Sequence, residues 1–493
     1  MNKRFFIVPV LFLGLLVKAQ QNQLLDQAFW KTGPSVAAVD EAIAKGANPA
    51  QLNSNGFDAV TMAINSQAPN QTVLHLLAFK GNEVDKLTHD SRIYLHWAAA
   101  RGNVELVEAL LTRGSDVHKE DSHGFTPLNF AAQGGQKNTV VYDLLLAKGA
   151  DLKKELNHDG ANALLLVVAQ DKDFALTNYF VSKGLSLNST DQLGRTAFDY
   201  TARSGNIDQL KALQSKGVNF TQNALLMAAQ GGRGSSTKLD VFEYLVGLGI
   251  NPAARDAGGQ NALHSIVRKP NQSDIIAFFL NKGVDINQQD KEGTTAFMNA
   301  AAFGTMETLD QLKPKLKDIN QANQKGATAL CLAVRGNSPE AVKWLIDNGA
   351  RVQVKDARGD NLAAYLIQSY APPRAGLPAL EAKAKILQDN GFDLATPQQN
   401  GNTLYHLAIA RDDMALLKFV GNYKVDINAK NKEGMTVLHK AAMTAKSDEI
   451  LKYLVQNGAS KSITTDLKET PYDLASENEY LTKNKISIDF LKM

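Results

Sequence analysis

Residues 121–135 read DSHGFTPLNFAAQGG, and weakened copies of that stretch return along most of the chain. DQLGRTAFDYTARSG starts at Asp191, DKEGTTAFMNAAAFG at Asp290 and NKEGMTVLHKAAMTA at Asn431, with further starts at Asn157, Asp256, Asn323, Asp356 and Gln398. Several neighbouring starts lie 33 or 34 residues apart. A unit of that length cannot bury a core alone, so the chain must stack its units and share one apolar interior between neighbours.

The chemistry of one unit predicts its shape. In 121–151, Asp121 can bond the backbone ahead of it and Gly124 suits a positive φ, so DSHG reads as a turn. Thr126 is placed to cap a helix, and Pro127 stands at the first helical position, where its missing N–H costs nothing. LNFAAQ predicts a short first helix whose alanines allow close approach, GGQKN breaks it, and TVVYDLLLAK carries apolar residues at helical spacing. Gly149 ends this second helix before an extended run into the next turn.

A turn closed by Gly, a Thr-Pro-Leu-His variant, two antiparallel helices and Gly-Ala-Asp together resemble the ankyrin repeat. YLHWAAARGNVELVEALLTRGSDV (94–117) and TVLHKAAMTAKSDEILKYLVQNGAS (436–460) are close matches, and the resemblance extends over 22–493. It implies an all-α solenoid of helix-turn-helix units with β-hairpin fingers. The expected organisation is an N-terminal capping unit over 20–52, a solenoid over 53–464 and a C-terminal capping unit over 465–493. In the family a histidine ties neighbouring turns together. His96, His264, His406 and His439 occupy its slot, whereas Thr61, Asn129, Leu165, Asp199, Leu226, Met298, Cys331, Ala364 and Asp473 replace it elsewhere. Three irregular places are expected. A finger is missing at 218–223, an insertion lies at 231–238, and a longer one at 366–385 contains prolines that should prevent continuous helix over 368–383.

The first 19 residues read as a targeting segment. Lys3 and Arg4 precede the apolar run Phe5–Val17, and Val17-Lys18-Ala19 is a small-residue cleavage site before Gln20. No cysteine stands at that point, which argues against lipid attachment. The expectation is an exported, bacterial ankyrin-repeat protein, periplasmic or extracellular, with no membrane insertion once the leader is removed. The leader holds Lys3, Arg4 and Lys18, so the 53 basic residues of the whole chain against 50 acidic ones become a balanced set without it. Balance removes the electrostatic argument for nucleic acid or an anionic membrane. The single cysteine, Cys331, excludes an internal disulfide and a cysteine-based zinc site.

The motifs of hydrolases, nucleotide-binding folds and zinc proteases are absent. His89, His118, Asp121 and His123 fall near neighbouring fingers, but a solvated turn explains them better than a metal site, which needs three or four converging ligands. Cys331, among Leu330, Leu332 and Ala333, reads as a buried apolar residue. Trp97, Phe130, Tyr200 and Leu407 follow the histidine slot and are expected to pack between units.

What is left for recognition is exposed surface. The two residues after the paired small residues of the first helix supply Arg101, Arg203, Arg268, Arg335 and Arg411 in five units, with Phe303 in another. Phe125, Arg195 and Arg358 stand on fingers. In the family an arginine there also pairs with a nearby turn acid. If the units stack in register, these residues face the concave side and favour an acidic partner. The reading is a monomeric, non-catalytic module that binds a protein partner and needs no cofactor or metal. The alternatives are a structural or protective component of the envelope and an enzyme grown on a repeat scaffold.

Overall fold

The computed structural model describes residues 22–232, 237–372 and 375–493. The leader and its cleavage point lie outside these residues, as do 233–236 of one insertion and 373–374 of the other. The chain divides into two compact units, Met1–Thr221 and Gln222–Met493. Among the described residues the first holds 12 α-helices and the second 16, arranged as successive antiparallel pairs. First helices pack on first helices, as Tyr94–Arg101 does on Pro127–Gln133, and second helices on second, as Pro339–Asp347 does on Leu377–Asp389.

This layering explains the composition of each helix. A first helix has a neighbour on both sides and its own partner behind, so Ala98, Ala99, Ala131 and Ala132 are fully buried and small enough to let backbones approach. A second helix shows one face to solvent and buries only its apolar stripe, such as Val141, Tyr142 and Leu145. Each such buried leucine contributes roughly 1.5–3 kcal/mol. Cys331 lies in this interior within the first helix Ala329–Gly336, fully buried, and burial pushes its thiol pKa up. Since only thiolate attacks disulfide reagents, the native protein should not react with a soluble aromatic disulfide, and one equivalent should react in denaturant. Fast native labelling contradicts this.

The fingers depart from the expected hairpins. Among the described residues no strand is formed; single antiparallel bridges at Thr190–Thr196, Arg255–Asn261 and Ala322–Thr328 join finger arms. The turn consumes the donors that a ladder would use. Asp121 Oδ1 accepts from the N–H groups of both His123 and Phe125. Adjacent fingers are linked by one backbone bond each, from His158 N–H to His123 O (3.4 Å) and from Gln324 N–H to Glu292 O (2.9 Å). The turn glycine has a positive φ in most fingers, 76° at Gly124, but Ser91 and Lys468 occupy that position with φ of 59° and 67°. A non-glycine residue there costs roughly 1–2 kcal/mol, partly offset by its smaller unfolded-state entropy. Ser91→Gly and Lys468→Gly should therefore each stabilise the protein by about 0.5–1 kcal/mol in urea titrations.

Two sets of side chains tie successive units. His96 Nε2 meets Phe125 O at 2.9 Å, His264 Nε2 meets Thr294 O at 3.2 Å, and His406 Nε2 meets Met435 O at 3.0 Å. Asn129 makes the same tie through Nδ2 to Glu155 O at 2.9 Å, and Asp199 reverses its polarity by accepting from Thr221 N and Oγ1. A second set serves the carbonyls at the C-terminal ends of first helices. Gln136, Gln170, Asn337 and Asn478 donate to Ala100 O, Gln133 O, Ala301 O and Ala442 O of the preceding units. These carbonyls have no partner within their own helices.

At 218–223 no finger forms, and the chain enters the helix Asn223–Gln230 directly. In the long insertion, helix is not continuous over 368–383, as expected: Leu362–Ser369 ends, 370–372 and 375–376 are non-helical, and the next helix begins at Leu377. Pro378 sits in the first turn of the 13-residue helix Leu377–Asp389, where no N–H is required, so helix resumes there after the break, and part of the added length extends this second helix. Ala371 and Ala375 close the preceding loop through reciprocal backbone bonds of 2.9 and 3.0 Å.

Candidate functional site

The nine recognition candidates do not form one row. Counted from the histidine slot, Arg203, Arg268 and Arg335 stand four residues on, whereas Arg101, Arg411 and Phe303 stand five on. One residue turns a side chain by about 100° on a helix. Arg101 and Arg411 reach back to the unit before them. The Arg101 guanidinium donates to Asn65 Oδ1 at 3.1–3.2 Å, and Arg411 donates to Tyr370 O at 2.8 Å. Both therefore join units, like the Gln and Asn donors of the first-helix ends.

Six of the others gather in two clefts, one in each compact unit, walled by fingers and floored by first helices. In the first unit, Phe125, Arg195 and Arg203 line a cleft of about 380 Å³ together with His158, Asp159 and Tyr200. Phe125, expected to be exposed, is only 7% exposed, its ring lining the cleft beside His123. Arg195 is largely consumed by acids: Nε donates to Asp191 and NH2 lies 3.3 Å from Asp159. Tyr200 Oη donates to the same Asp191 carboxylate at 2.9 Å. Burial lowers the Arg203 pKa, consistent with its half-buried place in the cleft.

In the second unit, Phe303, Arg335 and Arg358 line a cleft of about 610 Å³ with Lys325, Leu332, Asp356 and Tyr365. Asp356 is buried and shapes its finger. Oδ1 accepts from the backbone N–H groups of Arg358 and Asp360, and Oδ2 accepts from Tyr365 Oη at 2.9 Å. Burial and the bond to Asp356 raise the Tyr365 pKa, so its hydroxyl keeps its proton at neutral pH. Arg268 lies outside this lining, its guanidinium 4.5 Å from the centre of the Phe303 ring. The tyrosines were not among the recognition candidates, although a turn aspartate nine residues before a tyrosine occurs at both Asp191/Tyr200 and Asp356/Tyr365 and could have marked both clefts.

The groups considered for metal binding are separated and individually engaged. Asp121 binds Arg92 at 2.8 Å, His118 faces Glu155 at 3.2 Å, His89 meets Asn55 O at 2.8 Å and His123 faces Ser122 at 3.3 Å. No helix among the described residues is long and apolar enough to cross a membrane.

A family model for ankyrin repeats matches residues 61–155, 202–290, 263–356 and 379–480. The chain belongs to the ankyrin-repeat family. Human transient receptor potential cation channel subfamily A member 1 is 24% identical to this ankyrin array over 82% of the chain and 38% of its own length. Human rabankyrin-5 is 24% identical over 70% of the chain and 27% of its own length. An L-asparaginase of Dirofilaria immitis is 31% identical over 31% of the chain and 26% of its own length. The array thus spans 26–38% of these three curated relatives.

Proposed function

We propose that this ankyrin array is an exported, non-catalytic module that binds a protein partner on the face built from its fingers and first helices. The observation that carries the reading is that each compact unit has a cleft built from fingers and first helices, and the two clefts collect six of the nine side chains singled out for recognition. Each cleft joins basic groups to aromatic and apolar ones, a composition suited to a protein surface. The family's usual role in protein interaction supports the same conclusion, and the charge balance beyond the leader disfavours nucleic acid.

Affinity capture with the purified array from the periplasm of the native cell tests the binding step. A partner should be retained in salt-sensitive fashion and re-bind the array when both are pure. Failure of any partner to re-bind removes the reading. Export is tested by the mass of the protein recovered from outside the cytoplasm, which should begin at Gln20; retention of Met1 contradicts it. The match to an L-asparaginase, confined to a quarter of that protein, makes asparagine hydrolysis the fitting check for catalysis. Ammonia release by the purified array overturns the non-catalytic reading.

A further inference from the structure

The cations that line the clefts differ in how far acids already neutralise them. In the first unit, Arg195 is held by Asp191 and Asp159. In the second, Arg358 lies 2.9 Å from Asp360 and 3.5 Å from Asp356, and Lys325 lies 3.3 Å from Glu292. Arg335 is exposed on the last turn of its helix and has no hydrogen bond or ion pair with any described residue. It is the cation of this cleft whose charge no acid offsets.

Beside Arg335 lies an apolar surface that the fold leaves open. Phe303 is 49% exposed, with Arg268 stacked 4.5 Å from its ring centre. Its ring rests against the end of the Arg335 helix, since a Cβ placed on Gly336 would stand 3.6 Å from Phe303 Cε1. Leu332 and Ala302 continue the floor. A guanidinium lacking an acid next to a half-exposed aromatic ring suits a ligand with the inverse pair: a carboxylate beside an apolar side chain.

We propose that this cleft binds an acidic segment of a partner protein in which a large apolar residue adjoins a Glu or Asp. The apolar side chain packs on Phe303 and Leu332, and the carboxylate takes the fork of Arg335 in bidentate fashion. Lys325 and Arg358, exposed on the two neighbouring fingers, attract further acids along the segment. A polyphosphate backbone fits less well, because Glu292, Asp356 and Asp360 stand among the same cations. The inference rests on the interaction-module reading and gives its partner a chemistry.

Fluorescence anisotropy with the full-length array tests it. The probe is a labelled peptide of sequence GSEELFEDG, compared with a version carrying Lys for every acid, a version carrying Ala for Leu-Phe, and labelled oligo(dT). The acidic apolar peptide should bind, with both altered peptides and oligo(dT) at least about tenfold weaker. Arg335→Ala and Phe303→Ala should each weaken it at least about fivefold, and Arg101→Ala should leave it unchanged. Circular dichroism should show Arg335→Ala melting like the wild type, since its side chain is exposed and unpaired, and Phe303→Ala melting lower but still folded, since it loses the ring's contacts with Arg268 and the Arg335 helix. Absence of binding below millimolar peptide, equal binding of the Lys version or of oligo(dT), or wild-type affinity in folded Arg335→Ala overturns the proposal. A captured partner that both cleft variants retain at full affinity removes this inference and leaves the module reading standing.

Discussion

Lowering the pH from 7 to 4 should cost the first compact unit on the order of 3 kcal/mol through His96 alone. His96 is fully buried, and burial lowers its pKa to about 4, only partly opposed by the bond to Phe125 O. The unfolded chain, with an ordinary histidine near ~6.5, takes up its proton first. The contribution is therefore complete above about pH 6.5 and is lost progressively as the pH falls towards 4. His264, His406 and His439 of the second unit are also lowered by burial, so that unit should follow the same trend. Glu155 and Asp199 work in the opposite sense, since burial raises their pKa values and the folded state accepts their protons more readily. A paired measurement removes that offset. His96→Asn should keep the tie, as Asn129 does naturally, and lose the titration. Urea midpoints measured from pH 7 to 4 should fall less steeply in the variant; parallel slopes would falsify the assignment.

Asp58→Ala should destabilise the same unit by about 3–5 kcal/mol, because it strands charges and donors that were paired in the interior. The fully buried Asp58 carboxylate accepts from Thr61 N and Oγ1 at 2.9 Å, from Tyr94 Oη at 2.6 Å, and lies 2.6 Å from Lys86 Nζ. Without it, the helix Ala59–Asn65 loses its cap, the mostly buried Lys86 charge keeps only the neutral acceptors Ala50 O and Asn82 Oδ1 and no counter-ion, and Tyr94 retains only a 3.4 Å contact with Asn82. The desolvation of those groups, rather than the loss of attraction, sets the size of the effect. Adding Lys86→Met and Tyr94→Phe to Asp58→Ala should restore at least half of the loss, since apolar groups need no partner. A loss below about 1 kcal/mol in the single variant, or no recovery in the triple one, contradicts this account.

The recognition surface was legible in part. Six candidates lie in clefts because fingers and first-helix ends form one face when units stack, which the repeat itself makes foreseeable. The role of each arginine was not. Arg101 and Arg411 join units, Arg268 covers Phe303, Arg195 is bound by acids, and Arg335 is left without one. Those differences depend on which carbonyl, ring or carboxylate a neighbouring unit brings within 3–5 Å.

Local chemistry written in consecutive residues settled most of the architecture by itself. The Thr126 cap, Pro127 at the first helical position and the positive φ of Gly124 and Gly149 are decided within a few residues, and they appear as read. The repeat period then makes stacking unavoidable, because no unit can bury its apolar face alone. Tertiary structure decided whatever depends on the next unit. It withheld regular strands from the fingers, whose turn acids occupy the backbone donors. It drew Phe125 inward, and assigned each arginine its partner or left it with none. The physical reason is range: caps and turns are satisfied by neighbours in sequence, whereas a side chain at a unit boundary is satisfied by groups about 26–41 residues away, such as Glu155 O for Asn129 and Tyr370 O for Arg411.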